Sequence, residues 1–121
     1  MGERAEILIV EPDESRLFFY SHWDGPDLTT ILQAALLRGK SRWGDSPYLA
    51  RIIFNEMTQG CELETTGYGI STKPMGGTYP LIVVDMDLEV VTFENHNKTS
   101  WTFEEYVELD STELPSILTD R

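Results

Sequence analysis

Between Asp27 and Gly60 the apolar residues recur every three or four positions in two blocks: Leu28, Ile31, Leu32, Ala35 and Leu36, then Leu49, Ile52, Ile53 and Met57. Outside that window the rhythm changes to short β-branched runs. A 3.6-residue period sets such positions on one face of a helix, whereas short β-branched runs belong to strands. Two amphipathic helices set between strands must bury their apolar faces against a sheet, so the fold class is α+β. The first helix is predicted over about 28–38. Gly25-Pro26-Asp27 opens it, Asp being favoured where backbone N–H groups are free, and Gly39 stands where a left-handed cap is expected. The second is predicted from Asp45-Ser46-Pro47, with proline in the first turn, to a stop at Gly60.

Ile7-Leu8-Ile9-Val10 and Leu17-Phe18-Phe19-Tyr20 flank the turn-forming Glu11-Pro12-Asp13-Glu14-Ser15 and read as a hairpin. After the helices, Gly67–Thr72, Pro80–Asp85 and Leu88–Phe93 read as strands, the last two joined by the tight Met86-Asp87 connection and paired antiparallel. Thr102-x-x-Glu105 is a capping box that can open a short C-terminal helix before an acidic tail. The expected architecture is a single domain over 1–121: a small antiparallel sheet, order ββααβββ, with two helices packed on one face and the acidic segment 108–121 loosely packed.

The chain has 121 residues, enough for one modest core. Nine Lys and Arg against 21 Asp and Glu give a formal charge of −12, which disfavours bulk nucleic acid and anionic membrane surfaces as partners. No apolar run approaches the roughly 18 residues of a membrane span. With the single Cys61 and an N-terminus lacking a secretion signal, the expected location is the cytoplasm. Gly67-Tyr68-Gly69 and Gly76-Gly77 read as strand and turn glycines rather than a phosphate loop, and no cofactor is expected.

In so acidic a chain the positions of the cations carry information. Arg38, Lys40, Arg42 and Arg51 fall in a segment whose only acid is Asp45, an island of formal charge +3 that would draw small anions. Trp43 and Tyr48 lie in the same segment, and "YSHWDG" at 20–25 adds His22, Trp23 and Asp24. Flat rings beside guanidinium groups suit a nucleobase with a phosphate. The expected ligand site therefore comprises His22, Trp23, Asp24, Lys40, Arg42, Trp43, Asp45, Tyr48 and Arg51, in a pocket between the 20–26 turn, the 39–47 loop and Tyr68, joined by backbone donors at the second helix's N-terminus.

Each residue also has a structural reading. Trp23 and Trp43 can plug the ends of the first helix, Arg51 can pair with Asp45, Glu56 or a neighbouring acid, and His22 beside Asp24 can simply hold a turn. Arg38, Lys40 and Arg42 suit the C-terminal dipole of the first helix. Catalytic signals are thin: His22 and His96 with Asp24, Asp85 and Asp87 form no recognised metal motif, and Cys61 has no basic neighbour in sequence.

Together, "YSHWDG", "SRWGDSPYLARIIF", "TGYGIS" and "YPLIVVD" resemble a set of small, mostly uncharacterised proteins of bacteriophages and related prokaryotic genomes, over about residues 15–90. The resemblance implies a phage origin and no catalytic residue. It also implies counter-defence by one of two routes. The first, and the expected function, is non-catalytic sequestration of a small phosphorylated, nucleotide-derived signal; because so small a domain has little depth for a pocket, a homo-oligomer with sites between subunits is expected. The second is an acidic inhibitor of a host defence protein, carried by Glu62, Glu64, Glu104, Glu105, Glu108, Asp110 and Glu113. A weak phosphodiesterase using His22 is a third alternative.

Overall fold

The computed structural model describes residues 2–94, 99–110 and 114. The sheet comprises β1 (Ala5–Val10), β2 (Arg16–Ser21), β3 (Tyr68–Ser71), β4 (Ile82–Asp85), β5 (Val90–Phe93) and β6 (Ser100–Thr102). The helices are α1 (Leu28–Arg38), α2 (Ser46–Met57) and α3 (Phe103–Val107), with single 3-10 turns at Gly25–Asp27 and Lys40–Arg42. Among the described residues no helix is long and apolar enough to cross a membrane.

The α+β class stands, but the sheet differs from the expected one. It has six strands in the order β3-β2-β1-β4-β5-β6, and it is mixed, since β1 and β4 run parallel with Ile7 opposite Ile82. All other neighbours are antiparallel. The reason lies in where β3 docks. It pairs with the outer edge of β2, so the chain must cross both β2 and β1 to place β4. The crossing segment runs over the face opposite the helices: Met75 N–H and Gly76 N–H donate to the carboxylate of Glu6, at 2.6 and 3.2 Å, and Thr78 N–H reaches Arg4 O at 3.0 Å. Glu6 alternates with Ala5 and Ile7, which face the helices, and so points the other way.

The core lies between the sheet and α1, α2 and α3. Ala5, Ile7, Ile9, Phe19, Ile82, Val84, Val91 and Phe93 come from the sheet; Leu28, Leu32, Leu36, Leu49, Ile53 and Met57 come from the two long helices. Gly39 does not adopt the left-handed cap expected of it, its φ being −94°. A Cβ there would press on Leu49 and Ile52 of α2, so the glycine serves close helix approach. Arg38 fastens the same corner, pairing with Glu56 at 3.0 Å and donating to Ile52 O at 3.1 Å. The Thr102–Glu105 capping box forms in both halves and starts α3, whose Phe103 and Tyr106 are buried. Of the segment expected to pack loosely, Leu109 and Leu114 pack on the core, while 111–113 and 115–121 lie outside the described residues.

Candidate functional site

The "YSHWDG" junction closes the end of β2. Asp24 N–H donates to Ser21 Oγ at 3.0 Å, and one oxygen of Asp24 accepts from both Ser21 Oγ (3.0 Å) and Tyr68 Oη (2.9 Å). Burial, then the neighbouring Asp24 carboxylate, pushes the Tyr68 phenol up, so it stays protonated and donates. His22 Nδ1 lies 2.7 Å from Tyr20 Oη, and its ring meets Trp23 edge-on, with centroids 4.5 Å apart. Trp23 is 53% exposed, yet it lies against Gly67, where a Cβ would collide with its indole. Gly25 is buried and donates to Glu3 O at 2.8 Å. The motif joins β2, β3, the N-terminal segment and the start of α1.

The second half of the expected site lies at the opposite end of the molecule. An 11-residue α1 spans roughly 16 Å and leads from the 20–26 turn to the 39–47 loop. The single pocket drawn from both is therefore not formed: Asp24 meets Tyr68 beside His22 and Trp23, whereas Lys40, Arg42, Trp43, Asp45 and Tyr48 lie at the junction of α1 and α2, and Arg51 lines a different surface of α2. Trp43 takes its structural reading, with Nε1 donating to Leu36 O at 2.9 Å and its ring edge-on to Phe103 at 5.5 Å. Lys40 Nζ sits 5.8 Å from the Trp43 ring centre. Arg42 lies over the Tyr48 ring at 4.8 Å and faces Asp45 at 3.7 Å. Asp45 makes no side-chain cap on α2, nor does Asp27 on α1, contrary to the roles expected of them. Arg51 pairs with neither Asp45 nor Glu56, since Asp45 faces Arg42 and Glu56 is held by Arg38.

Replacing Trp43 with alanine is thus expected to cost about 3 kcal/mol of stability, the range for emptying an aromatic site, and to leave ligand affinity nearly unchanged. Urea denaturation reads the first effect and titration calorimetry the second; a stable variant that no longer binds ligand would return Trp43 to the site.

Sequence reading missed a large concavity among the described residues. A groove of about 840 Å³ runs between α2, β2, β3 and the β1–β2 turn. Its floor is Leu17, Phe19, Ile70 and Thr72, and its wall is Pro47, Ala50, Arg51 and Phe54 of α2. The Phe19 and Phe54 rings touch, with centroids 5.1 Å apart. Positions 47, 50, 51 and 54 form a second helical stripe beside the 49-52-53 core stripe, a signal that was present in the sequence. Arg16 and Arg51 sit exposed at the lip, and among the described residues neither has an ion-pair partner. Glu11 and Asp13 also line the groove, but Asp13 is occupied: Ser15 Oγ and N–H donate to it at 2.6 and 3.0 Å and hold its pKa below the usual carboxylate value. The first turn of α2, with Ser46, adds the positive end of a helix dipole.

His96 lies outside the described residues. Among the described residues no three His, Cys, Asp or Glu side chains gather closely enough to share a metal ion. Comparison with protein-family models, with curated proteins and with solved structures found no match.

Proposed function

We propose that the protein is a non-catalytic binding module that holds a small ligand, with a flat or apolar body and an anionic group, in the groove between α2, β2 and β3. The observation that carries this reading is the pair of guanidiniums, Arg16 and Arg51, without ion-pair partners among the described residues, at the lip of a groove whose floor is mostly apolar and whose rim Glu11 and Asp13 share. An apolar cavity of several hundred Å³ with a few convergent polar groups is the usual form of a small-molecule site. Arg favours carboxylate or phosphate through paired hydrogen bonds. A nucleotide-derived signal meets these requirements, with the base on Phe54, Leu17 and Ile70 and the phosphate at Arg16 and Arg51. Sequestration of such a signal by a phage protein is the biological form of this reading, resting on the resemblance of residues 15–90.

Neither other route gains comparable support. His22 stands just past the far end of β2, roughly 20 Å from Arg16, so hydrolysis in the groove would lack it. The acids proposed for an inhibitor are spread over separate elements, and Glu105 is engaged by its own helix cap.

Thermal shift against nucleotides, cyclic dinucleotides and aromatic carboxylates tests the proposal, since a ligand bound only by the folded state raises the melting temperature. Arg16→Ala and Arg51→Ala are each expected to weaken the best compound about 10-fold or more, as loss of a charge-assisted contact does, with the unliganded melting temperature within a degree or two. Stabilisation by none of these classes, or undiminished binding in the double variant, would remove the groove from consideration.

A further inference from the structure

β3 is the last strand on its side of the sheet, and its outer edge has a defined hydrogen-bonding parity. His22 N–H donates to Gly67 O at 2.8 Å, which makes His22 and Gly67 a hydrogen-bonded pair of the antiparallel β2–β3 ladder. Pairs two residues on repeat the pattern, so Gly69 and Ser71 also bond inward, to Tyr20 and Phe18. Tyr68 and Ile70 therefore turn their N–H and C=O groups outward, away from β2. Their side chains share the helix-covered face with Ser21 and Phe19, and Ile70 is 54% exposed at the open side of the groove. An unpaired edge bearing an exposed apolar side chain is a template for another strand.

We infer that the occupant of this edge is a second copy of the same chain, paired antiparallel through β3 about a two-fold axis at Gly69, and that the groove is completed only in this dimer. The inference rests on the groove being the ligand site. In this register each Tyr68 faces Ile70 of the other copy, and each such pair exchanges both backbone hydrogen bonds through the groups that β2 leaves free. The charges also match end to end. The acidic stretch Glu62–Glu64 precedes β3 and Lys73 follows it, all exposed and none in an ion pair among the described residues. Antiparallel pairing sets the Lys73 end of one strand beside the acidic end of the other, whereas parallel pairing sets like beside like. Isologous contact of this kind closes the assembly at two copies.

The consequence for the site is direct. Two-fold pairing places both helix layers on one face, so the two α2 helices flank a common floor of four strands, β2 and β3 from each copy, roughly 14 Å between the outer strands. The partner's Tyr68 stands opposite Ile70 on that floor and supplies an aromatic face at the side each groove leaves open in the monomer. Arg16 and Arg51 of each copy stay at the lip of that copy's own groove, the two Arg16 positions lying on opposite sides of the axis and roughly 30 Å apart by strand spacing, so the dimer carries two separate sites.

Gly69 allows a register-specific test. It falls on the axis as a non-hydrogen-bonded pair, with Cα atoms about 4.5 Å apart, inside the span of a disulfide. A Cβ at Gly69 meets only Met75 Sδ, at an ordinary 3.6 Å. Cys61→Ser/Gly69→Cys protein is expected to form a covalent dimer under mild oxidation at least 10-fold faster than Cys61→Ser/Leu63→Cys, whose cysteine replaces a residue 96% exposed. Sedimentation of the wild type at about 200 μM is expected to show a dimer, and Ile70→Lys a monomer with an unchanged circular dichroism spectrum. A monomeric wild type, equal cross-linking at the two positions, or a dimer indifferent to Ile70→Lys overturns the inference. Stabilisation of a monomeric wild type by AMP would overturn the dimer and keep the groove reading; a Gly69-linked dimer that AMP and the other compounds leave unshifted would keep the dimer and discard the ligand.

Discussion

Truncating Tyr106 to alanine is expected to remove about 3–5 kcal/mol of stability, the range for deleting a fully buried aromatic side chain. That is a large share of the roughly 5–15 kcal/mol that holds a domain together. Tyr106 is completely buried in α3, with its ring edge-on to Phe93 and Trp101 at 6.1 and 5.9 Å. Its hydroxyl donates to Thr29 O at 2.8 Å, and burial keeps the phenol protonated for that role. The side chain thus ties the last helix to the first turn of α1. Gln33 completes the tie by donating to Tyr106 O at 3.1 Å and Leu109 O at 2.8 Å. Tyr106→Phe keeps the ring and loses one hydrogen bond, for about 1 kcal/mol. Equilibrium urea unfolding measures both; a loss below 1 kcal/mol for the alanine variant would mean that α3 adds nothing to the core.

Replacing Glu6 with alanine is expected to cost about 2–4 kcal/mol, through a different mechanism. Its carboxylate, 6% exposed on the face away from the helices, accepts from Met75 N–H and Gly76 N–H. Hydrogen bonds to a charged acceptor are each worth about 1.5–3 kcal/mol, partly recovered when the freed amides reach water. The effect should be local before it is global. Hydrogen exchange at Met75 and Gly76 is expected to accelerate well beyond that at Ile82, since the crossing segment loses its anchor while the β1–β4 ladder remains. Exchange that stays uniform across these amides would show that the segment is held by something other than Glu6.

The helices were legible because their signals are local. The 3-4 spacing, the prolines at Pro26 and Pro47 and the capping box at Thr102 each act within a few residues, and each element lies where its residues place it. Pairing partners are not local. The unbroken Leu81-Ile82-Val83-Val84 run suits a strand covered on both faces, as parallel strands are, but nothing within it names β1 as the neighbour. β6, three residues long, carries too little pattern to announce itself.

The candidate site divides the same way. Charge and ring content marked 38–51 as cation-rich, yet joining it to 20–25 required knowing which ends of α1 and β2 coincide. Trp43 shows the limit of composition. An indole among cations reads as a stacking platform until its N–H is found on Leu36 O and its ring on Phe103. Arg51, by contrast, reaches a groove that its own helical stripe with Pro47, Ala50 and Phe54 already outlined.

The parallel pairing of β1 with β4 has a consequence for biosynthesis. The β1–β2 hairpin leaves the ribosome well before Ile82–Asp85, which must cover its second edge and follows only after both long helices and β3. Until then the nascent hairpin carries an apolar, unsatisfied flank, and closing the intervening loop is the entropically costly step on which the rest of the sheet waits. The interval between emergence and closure is when the newborn chain is most exposed to misassociation, and a chaperone that shields the β1 flank during that interval would raise yield without altering the final stability.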